Sequence, residues 1–309
     1  MVARRETRLE LAPAKVNLAL EVLGRRDDGY HEVRTVLQTI SLADEVRVTH
    51  SEQKIGSPNK IQLRVTPKGS APVQGNLALA AADDRTLMLP PGDVQITLSK
   101  HIPMAAGLGG GSSDAAATLR ALTSITVDAF SYTRTYADWM HRAYSVARKV
   151  GSDAPFFIEG GTAQGRGRGD ELWPLPSPVD RWVVVVVPNE PEVENKTGRM
   201  YQLLRPEHYS DGAATVEVIR RLFAEVSLDG ALHNVFDAVA AEAYPGYAAM
   251  RERFLEAGAR QPTLCGAGPA MFALAHDEVE GESMRACLET AGYRAYLEEF
   301  WERESLEEF

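Results

Sequence analysis

A glycine-rich run set between a strand and a helix constrains this chain more than any other feature. Pro103-Met104-Ala105-Ala106-Gly107-Leu108-Gly109-Gly110-Gly111-Ser112-Ser113-Asp114 follows the strand-like Val94 to Leu98 and leads into the Ala-rich, helical Ser113 to Leu122. Glycines there permit backbone conformations that other residues resist, and they let the main chain approach a ligand closely. The helix start adds unpaired N–H groups and the positive end of a dipole. Ser112 and Ser113 add hydroxyls, so in physical terms the run is a phosphate cradle. No Gly-Lys-Ser/Thr follows, which separates it from a Walker A loop, and no downstream acidic residue stands at the spacing of a dinucleotide fold. Asp114 is expected in the first helical turn, where an acidic side chain stabilises the dipole.

Around this loop the chain reads as strands first and alternating helices and strands later. Val16, Leu18, Leu20 and Val22 alternate with Asn17, Ala19 and Glu21, the period of a half-buried strand. Val33 to Ile40, Val46 to Thr49 and Ile61 to Val65 are further strand-like runs. Tyr136, Met140, Ala143, Val146, Ala147 and Val150 repeat at helical spacing up to Gly151. Val183 to Val187 is a continuous β-branched run, which predicts a strand covered on both faces. Helices are expected over Ala214 to Val226 and Val235 to Ala257, a strand near Ala270 to Ala275, and an acidic solvated helix end from Glu298 to Phe309. The cluster of Pro174, Pro176 and Pro178 gives the expected domain boundary, with domains at 1–173 and 174–309.

Composition narrows the partners. With 33 Lys plus Arg against 43 Asp plus Glu, the net charge of -10 repels polyanions, so neither nucleic acid nor an anionic membrane is an expected partner. No stretch approaches the ~20 apolar residues of a membrane span. Arg4, Arg5 and Arg8 precede a strand-like segment rather than an apolar signal core. Cys265 and Cys287 are too few for a disulfide framework. These features fit a cytoplasmic protein of undetermined oligomeric state.

Three segments in order carry a resemblance. Gly107 to Asp114 resembles the second signature of the GHMP kinases, named for galactokinase, homoserine kinase, mevalonate kinase and phosphomevalonate kinase. Pro13-Ala14-Lys15-Val16-Asn17-Leu18 resembles the first, and Thr263-Leu264-Cys265-Gly266-Ala267-Gly268-Pro269 the third. In the third, Cys265 and Ala267 stand where the family more often has serines, which removes two hydroxyls. Asp28-Gly29-Tyr30-His31 narrows the match to the branch acting on a cytidine diphosphate-linked methylerythritol, and Gly151-Ser152-Asp153-Ala154-Pro155-Phe156-Phe157 resembles the segment with the catalytic aspartate.

The resemblance implies an α/β (α+β) two-domain GHMP kinase fold with its active site in the interdomain cleft. It implies ATP-dependent phosphorylation of the 2-hydroxyl of the diphosphocytidyl-methylerythritol, in non-mevalonate isoprenoid precursor synthesis, with Mg²⁺ accompanying ATP. Asp153 is then the base and Lys15 its partner, and residues 103–113 bind ATP. Asn17, Tyr30, His31, Tyr201, Gly266 and Gly268 would contact substrate, with Tyr30 and His31 reading cytosine and Tyr201 on its other face. Arg166 and Arg168 are candidates for phosphate contact or a solvated turn. No carboxylate cluster identifies metal ligands. The rival readings are a homoserine- or mevalonate-type kinase of the same family, which would have no reason to prefer cytidine, and a silent nucleotide-binding sensor.

Overall fold

A computed structural model of the chain describes residues 5–53, 60–130, 136–189 and 195–301. It resolves two compact units, one made of Met1–Ala14, Leu42–Met104 and Gly109–Glu159, the other of Lys15–Ser41, Ala105–Leu108 and Gly160–Phe309.

In the first unit, β1 (Arg5–Arg25) contributes its beginning and β2 (His31–Glu52) its end. β3 (Ile61–Thr66), α1 (Leu77–Ala82), β4 (Gly92–Ser99), α2 (Gly110–Phe130), α3 (Tyr136–Val150) and α4 (Phe156–Glu159) complete it. β4 pairs antiparallel with β2, Leu98 opposite Val46, and parallel with β3, Ile96 opposite Leu63. Val94, Ile96 and Leu98 alternate into the core, as a strand with one covered face requires. Arg120 on α2 ties the beginning of β1 to α4: its guanidinium donates to Glu10, to the Leu11 carbonyl and to the Phe157 carbonyl.

The second unit holds the rest of β1 and β2. β5 (Thr162–Arg166) pairs antiparallel with β2 and β6 (Glu171–Pro174) with β5. Its other sheet has the order β11-β7-β10-β9. β7 is Trp182–Val187, and α5 (Lys196–Leu203) and α6 (Ala213–Phe223) follow it. β8 (His233–Asn234) runs parallel to β1, pairing Leu20 with Asn234, and precedes α7 (Ala240–Ala243) and α8 (Tyr247–Glu256). β9 is Thr263–Leu264, β10 Met271–Ala275, α9 Glu278–Thr290 and β11 Arg294–Glu299. Val183 to Val187 is buried throughout, as the β-branched run predicts. A core of Val184, Val186, Phe236, Phe254, Met284 and Leu288 backs this sheet.

Three expectations change. β1 is buried continuously from Ala12 to Val22 rather than on one face, so its polar side chains Lys15, Asn17 and Glu21 lie inside and need partners there. The single helix expected over Val235 to Ala257 is a 3₁₀ turn (Val235–Ala238) followed by α7 and α8, because Pro245 holds Tyr244 extended at φ -126° and ψ 104°. Glu298 and Glu299 end a strand, not a helix, and 302–309 lie outside the described residues. After β11 the chain is strapped to β2. Phe300 bridges Ile40, the Trp301 N–H donates to the Thr39 carbonyl at 2.9 Å, and Gln38 and Thr39 side chains donate to the Trp301 carbonyl.

Candidate active site

Within the second unit, two glycine turns interlock. The Gly107 φ of +91° lies in the left-handed region, and a Cβ there would fall 1.9 Å from the Cys265 carbonyl oxygen, so only glycine permits this approach. The Ala270 N–H donates to the Ala106 carbonyl at 3.1 Å and the Lys15 N–H to the Leu108 carbonyl at 3.0 Å. Ala105 also has a left-handed φ, of 49°. The first, second and third signatures are thereby brought together: Lys15, residues 105–108 and residues 265–268.

Lys15 Nζ, 4% exposed, donates to Asn17 Oδ1 at 2.7 Å, and Asn17 passes the chain on through Nδ2 to Thr35 Oγ1 at 2.9 Å. A methyl group at Gly266 would lie 2.9 Å from Lys15 Nζ and 3.4 Å from Asn17 Oδ1, so the ammonium rests against the third turn. Among the described residues no carboxylate pairs with it. A buried ammonium held only by a neutral amide is costly and is suited to an incoming anion.

The loss of the two serine hydroxyls leaves the third turn held from outside. Asn234, carried beside β1 by β8, donates to the Leu264 and Gly266 carbonyls at 2.9 and 2.8 Å. Tyr244 Oη donates to the Ala267 carbonyl, and Lys196 at the start of α5 donates to the carbonyls of Ala105 and Gly268. Gly268 lies against Tyr244 and Leu264. Burial pushes the Cys265 thiol up to about 12, against the pull of the Lys15 and Lys196 charges, so it stays a neutral filler. Sequence reasoning missed Lys196, Asn234 and Tyr244; the one signal was that Lys196 immediately precedes the segment singled out for Tyr201.

In the first unit, Pro103 and the exposed Met104 lead in, and Gly109 with φ +77° turns the chain so that the Ser113 N–H donates to its carbonyl at 3.0 Å. α2 begins at Gly110, presenting Gly110, Gly111 and Ser112 at its start. The Ser113 hydroxyl is buried with no hydrogen-bond partner among the described residues. Gly151 packs beside the loop's exit, since a Cβ there would lie 3.4 Å from Ser112 Oγ. Two residues on, Asp153 is half-buried ahead of buried Ala154, Pro155, Phe156 and Phe157. Open helix-start donors, an unpartnered hydroxyl and a cradle that a side chain would fill all suit an anion such as the phosphates of ATP. Asp114 departs from expectation. Because α2 starts at Gly110, Asp114 falls past the first turn, and its buried carboxylate meets Lys100 at 2.6 Å instead of serving the dipole from the surface.

The aromatic residues form a separate cluster in the second unit. His31 stacks on Tyr201 with ring centroids 4.8 Å apart and planes at 22°, and Tyr201 stands edge-on to Phe236. Burial, then the Arg25 charge, lowers the His31 pKa, which keeps its ring neutral near pH 7. Tyr30 is not in this stack: its ring is 55% exposed, under the Arg168 guanidinium at 4.9 Å. Its turn is fixed by Asp28, which accepts from the Tyr30 N–H at 3.0 Å. Arg166 lies over Trp173 and donates to Gln164, so its engagement is with its own hairpin. Among the described residues no group of three His, Cys, Asp or Glu could hold a metal ion, and no helix is long and apolar enough to cross a membrane.

Comparison with known proteins gives the family. The model of the GHMP kinases N terminal domain matches residues 76–161 and that of the GHMP kinases C terminal matches 217–294. A 4-diphosphocytidyl-2-C-methyl-D-erythritol kinase of Dehalococcoides mccartyi is 36% identical over 290 residues, 93% of this chain and 96% of its own length. One from Moorella thermoacetica is 38% identical over 282 residues, 89% of this chain and 91% of its own. A crystal structure of 4-(cytidine 5'-diphospho)-2C-methyl-D-erythritol kinase superposes with a TM-score of 0.74 at 32% identity, covering 94% of this chain and 98% of that one. Homoserine kinase from Cytophaga hutchinsonii shares the fold, with a TM-score of 0.70 at 17% identity. The chain belongs to the 4-diphosphocytidyl-2-C-methyl-D-erythritol kinase family of the GHMP kinases.

Proposed function

We propose that this protein transfers the γ-phosphoryl group of ATP to the 2-hydroxyl of 4-diphosphocytidyl-2-C-methyl-D-erythritol, giving the 2-phosphate and ADP. The observation that carries this reading is likeness along almost the whole chain, 36% identity over 93% of it, to a relative named for that substrate.

The residues supply the parts that phosphoryl transfer needs, which are positioning and charge neutralisation rather than covalent chemistry. Asp153 accepts the proton of the 2-hydroxyl as its oxygen attacks the γ-phosphorus, and later releases it to solvent. The buried Lys15 ammonium, supported by Asn17 and Gly266, faces the negative charge of the reacting groups. Residues 103–113 hold the ATP phosphates through main-chain N–H groups, and Mg²⁺ bound to those phosphates would screen part of their charge. Tyr201 and neutral His31 offer a stacking surface and a hydrogen-bonding edge for cytosine.

ADP release assayed with the cytidine diphosphate-linked alcohol, homoserine and mevalonate tests the reading. Turnover is expected with the first alone; comparable kcat/KM with either of the others would overturn it.

A further inference from the structure

We propose that Asp114 takes up a proton when MgATP occupies the loop at 103–113, so that the buried Asp44, Lys100 and Asp114 carry no net charge beneath the bound phosphates. This rests on the reading of that loop as the phosphate site.

The three side chains form a closed group in the first unit. Lys100 leaves the end of β4 just before the loop, Asp114 sits in α2 just after it, and Asp44 comes from β2. Their side chains are 4%, 3% and 0% exposed, and Lys100 Nζ donates to Asp114 Oδ2 at 2.6 Å and to Asp44 Oδ2. A Cβ on Gly110 would lie 3.6 Å from Asp44 Oδ2, so the group lies directly under the loop backbone.

Two carboxylates share one ammonium, which leaves a net charge of one negative unit if both are ionised. The two are not equivalent. Asp44 Oδ1 accepts from the His101 N–H at 2.5 Å and the Ile102 N–H at 2.8 Å, donors that hold its charge. Asp114 has the ammonium and, against it, the Asp44 carboxyl, with no backbone donor to hold its charge, and its Oδ1 is buried with no hydrogen-bond partner among the described residues. Asp114 is therefore the carboxylate that yields. Burial lifts its pKa to about 7; Lys100 opposes the rise and Asp44 adds to it. Among the described residues no other charge competes nearby: α1 (Leu77–Ala82) against α2 is apolar, Arg142 and Lys149 of α3 bond Thr86 and Asp84, Arg120 bonds Glu10, and the His101 and His141 rings are exposed.

The incoming phosphates bring negative charge against the far side of the same backbone. That raises the affinity of Asp114 for a proton, and by reciprocity the protonated protein binds MgATP more tightly. Binding then draws a proton from solvent near neutral pH.

Titration calorimetry of MgATP into the full chain, in PIPES, HEPES and Tris buffers from pH 6 to 9 with excess Mg²⁺, reads this proton directly from the dependence of heat on buffer. If the phosphates lift Asp114 by about one pKa unit, roughly half a proton is taken up per ATP near pH 7.5 and affinity falls up to about tenfold toward pH 9. Asp114→Asn should bind without uptake. Should that variant not fold, Asp44→Asn, which removes the neighbouring charge, is expected to move the uptake to lower pH. Heats independent of buffer across the range in the wild type, or uptake undiminished in Asp114→Asn, would overturn the proposal. Absence of MgATP binding at every pH would instead overturn the phosphate-loop reading, and this inference with it.

Discussion

Asp153 and Lys15 have unequal surroundings, and these set what their replacement should do. Lys15 is buried among Asn17, Gly107 and Gly266, so Lys15→Met removes a charge from a prepared place while keeping the volume. Asp153 is half-buried, with no hydrogen bond from its side chain to a backbone group among the described residues. Asp153→Asn should therefore cut kcat about 10²- to 10⁴-fold, the usual value of a positioned base, with MgATP affinity from calorimetry nearly unchanged. Lys15→Met should lower kcat comparably; wild-type turnover in either variant would remove that residue from the mechanism. For cytosine recognition the test residue is Tyr201, because its ring is packed by His31 and Phe236 while Tyr30 is out in solvent. Tyr201→Ala should weaken the cytidine substrate by about 1–3 kcal/mol through lost stacking. The KM for ATP should not move, and equal losses for both substrates would mark Tyr201 as a packing residue only. The residues legible in the sequence, Lys15, Gly107 and Gly266 among them, lie inside contiguous motifs. Lys196 and Asn234 act through carbonyls that are remote in sequence, and no local pattern announces such a contact.

At the scale of elements, the burial of both faces of β1 produces a helix cap that no local sequence encodes. α6 begins after Gly212, which has no side chain to cap it. Glu21 of β1 does so instead, accepting from the Thr215 N–H at 2.7 Å, the Thr215 hydroxyl at 2.6 Å, the Ala214 N–H at 3.3 Å and the Ser210 hydroxyl at 2.8 Å. Burial alone would raise its pKa, but these donors together hold it below the ordinary glutamate value. A depressed carboxylate contributes stability above its unfolded pKa and loses it as pH falls through the folded one. Glu21→Gln should then cost about 1–3 kcal/mol at pH 7, and its gap to wild type in thermal melts should narrow below pH 4.5. A gap constant from pH 7 to pH 3 would assign the cap to neutral hydrogen bonding. Periodicity identified β1 as a strand but not its second covered face, because alternation reports only the apolar side. The break at Pro245 was legible in principle; the expected long helix ran through it because the flanking alanines fit a helical pattern.

Over the whole molecule, the fold class followed from the order of motifs, while the division of the chain did not follow from composition. The chain passes between the units at residues 14–15, 41–42, 104–105, 108–109 and 159–160; the first three carry no run of Gly, Ser or charge, while 108–109 falls inside the Gly107 to Ser113 run and 159–160 beside Gly160 and Gly161. β1 and β2 run unbroken across the change of unit, so a sequence window sees one strand. The strap formed by Phe300 and Trp301 is equally silent in sequence, since its bonds are mostly to backbone. A chain shortened to Glu299 should melt at a lower temperature than the full chain, for the Thr39 carbonyl and hydroxyl and the Gln38 amide would lose their Trp301 partners.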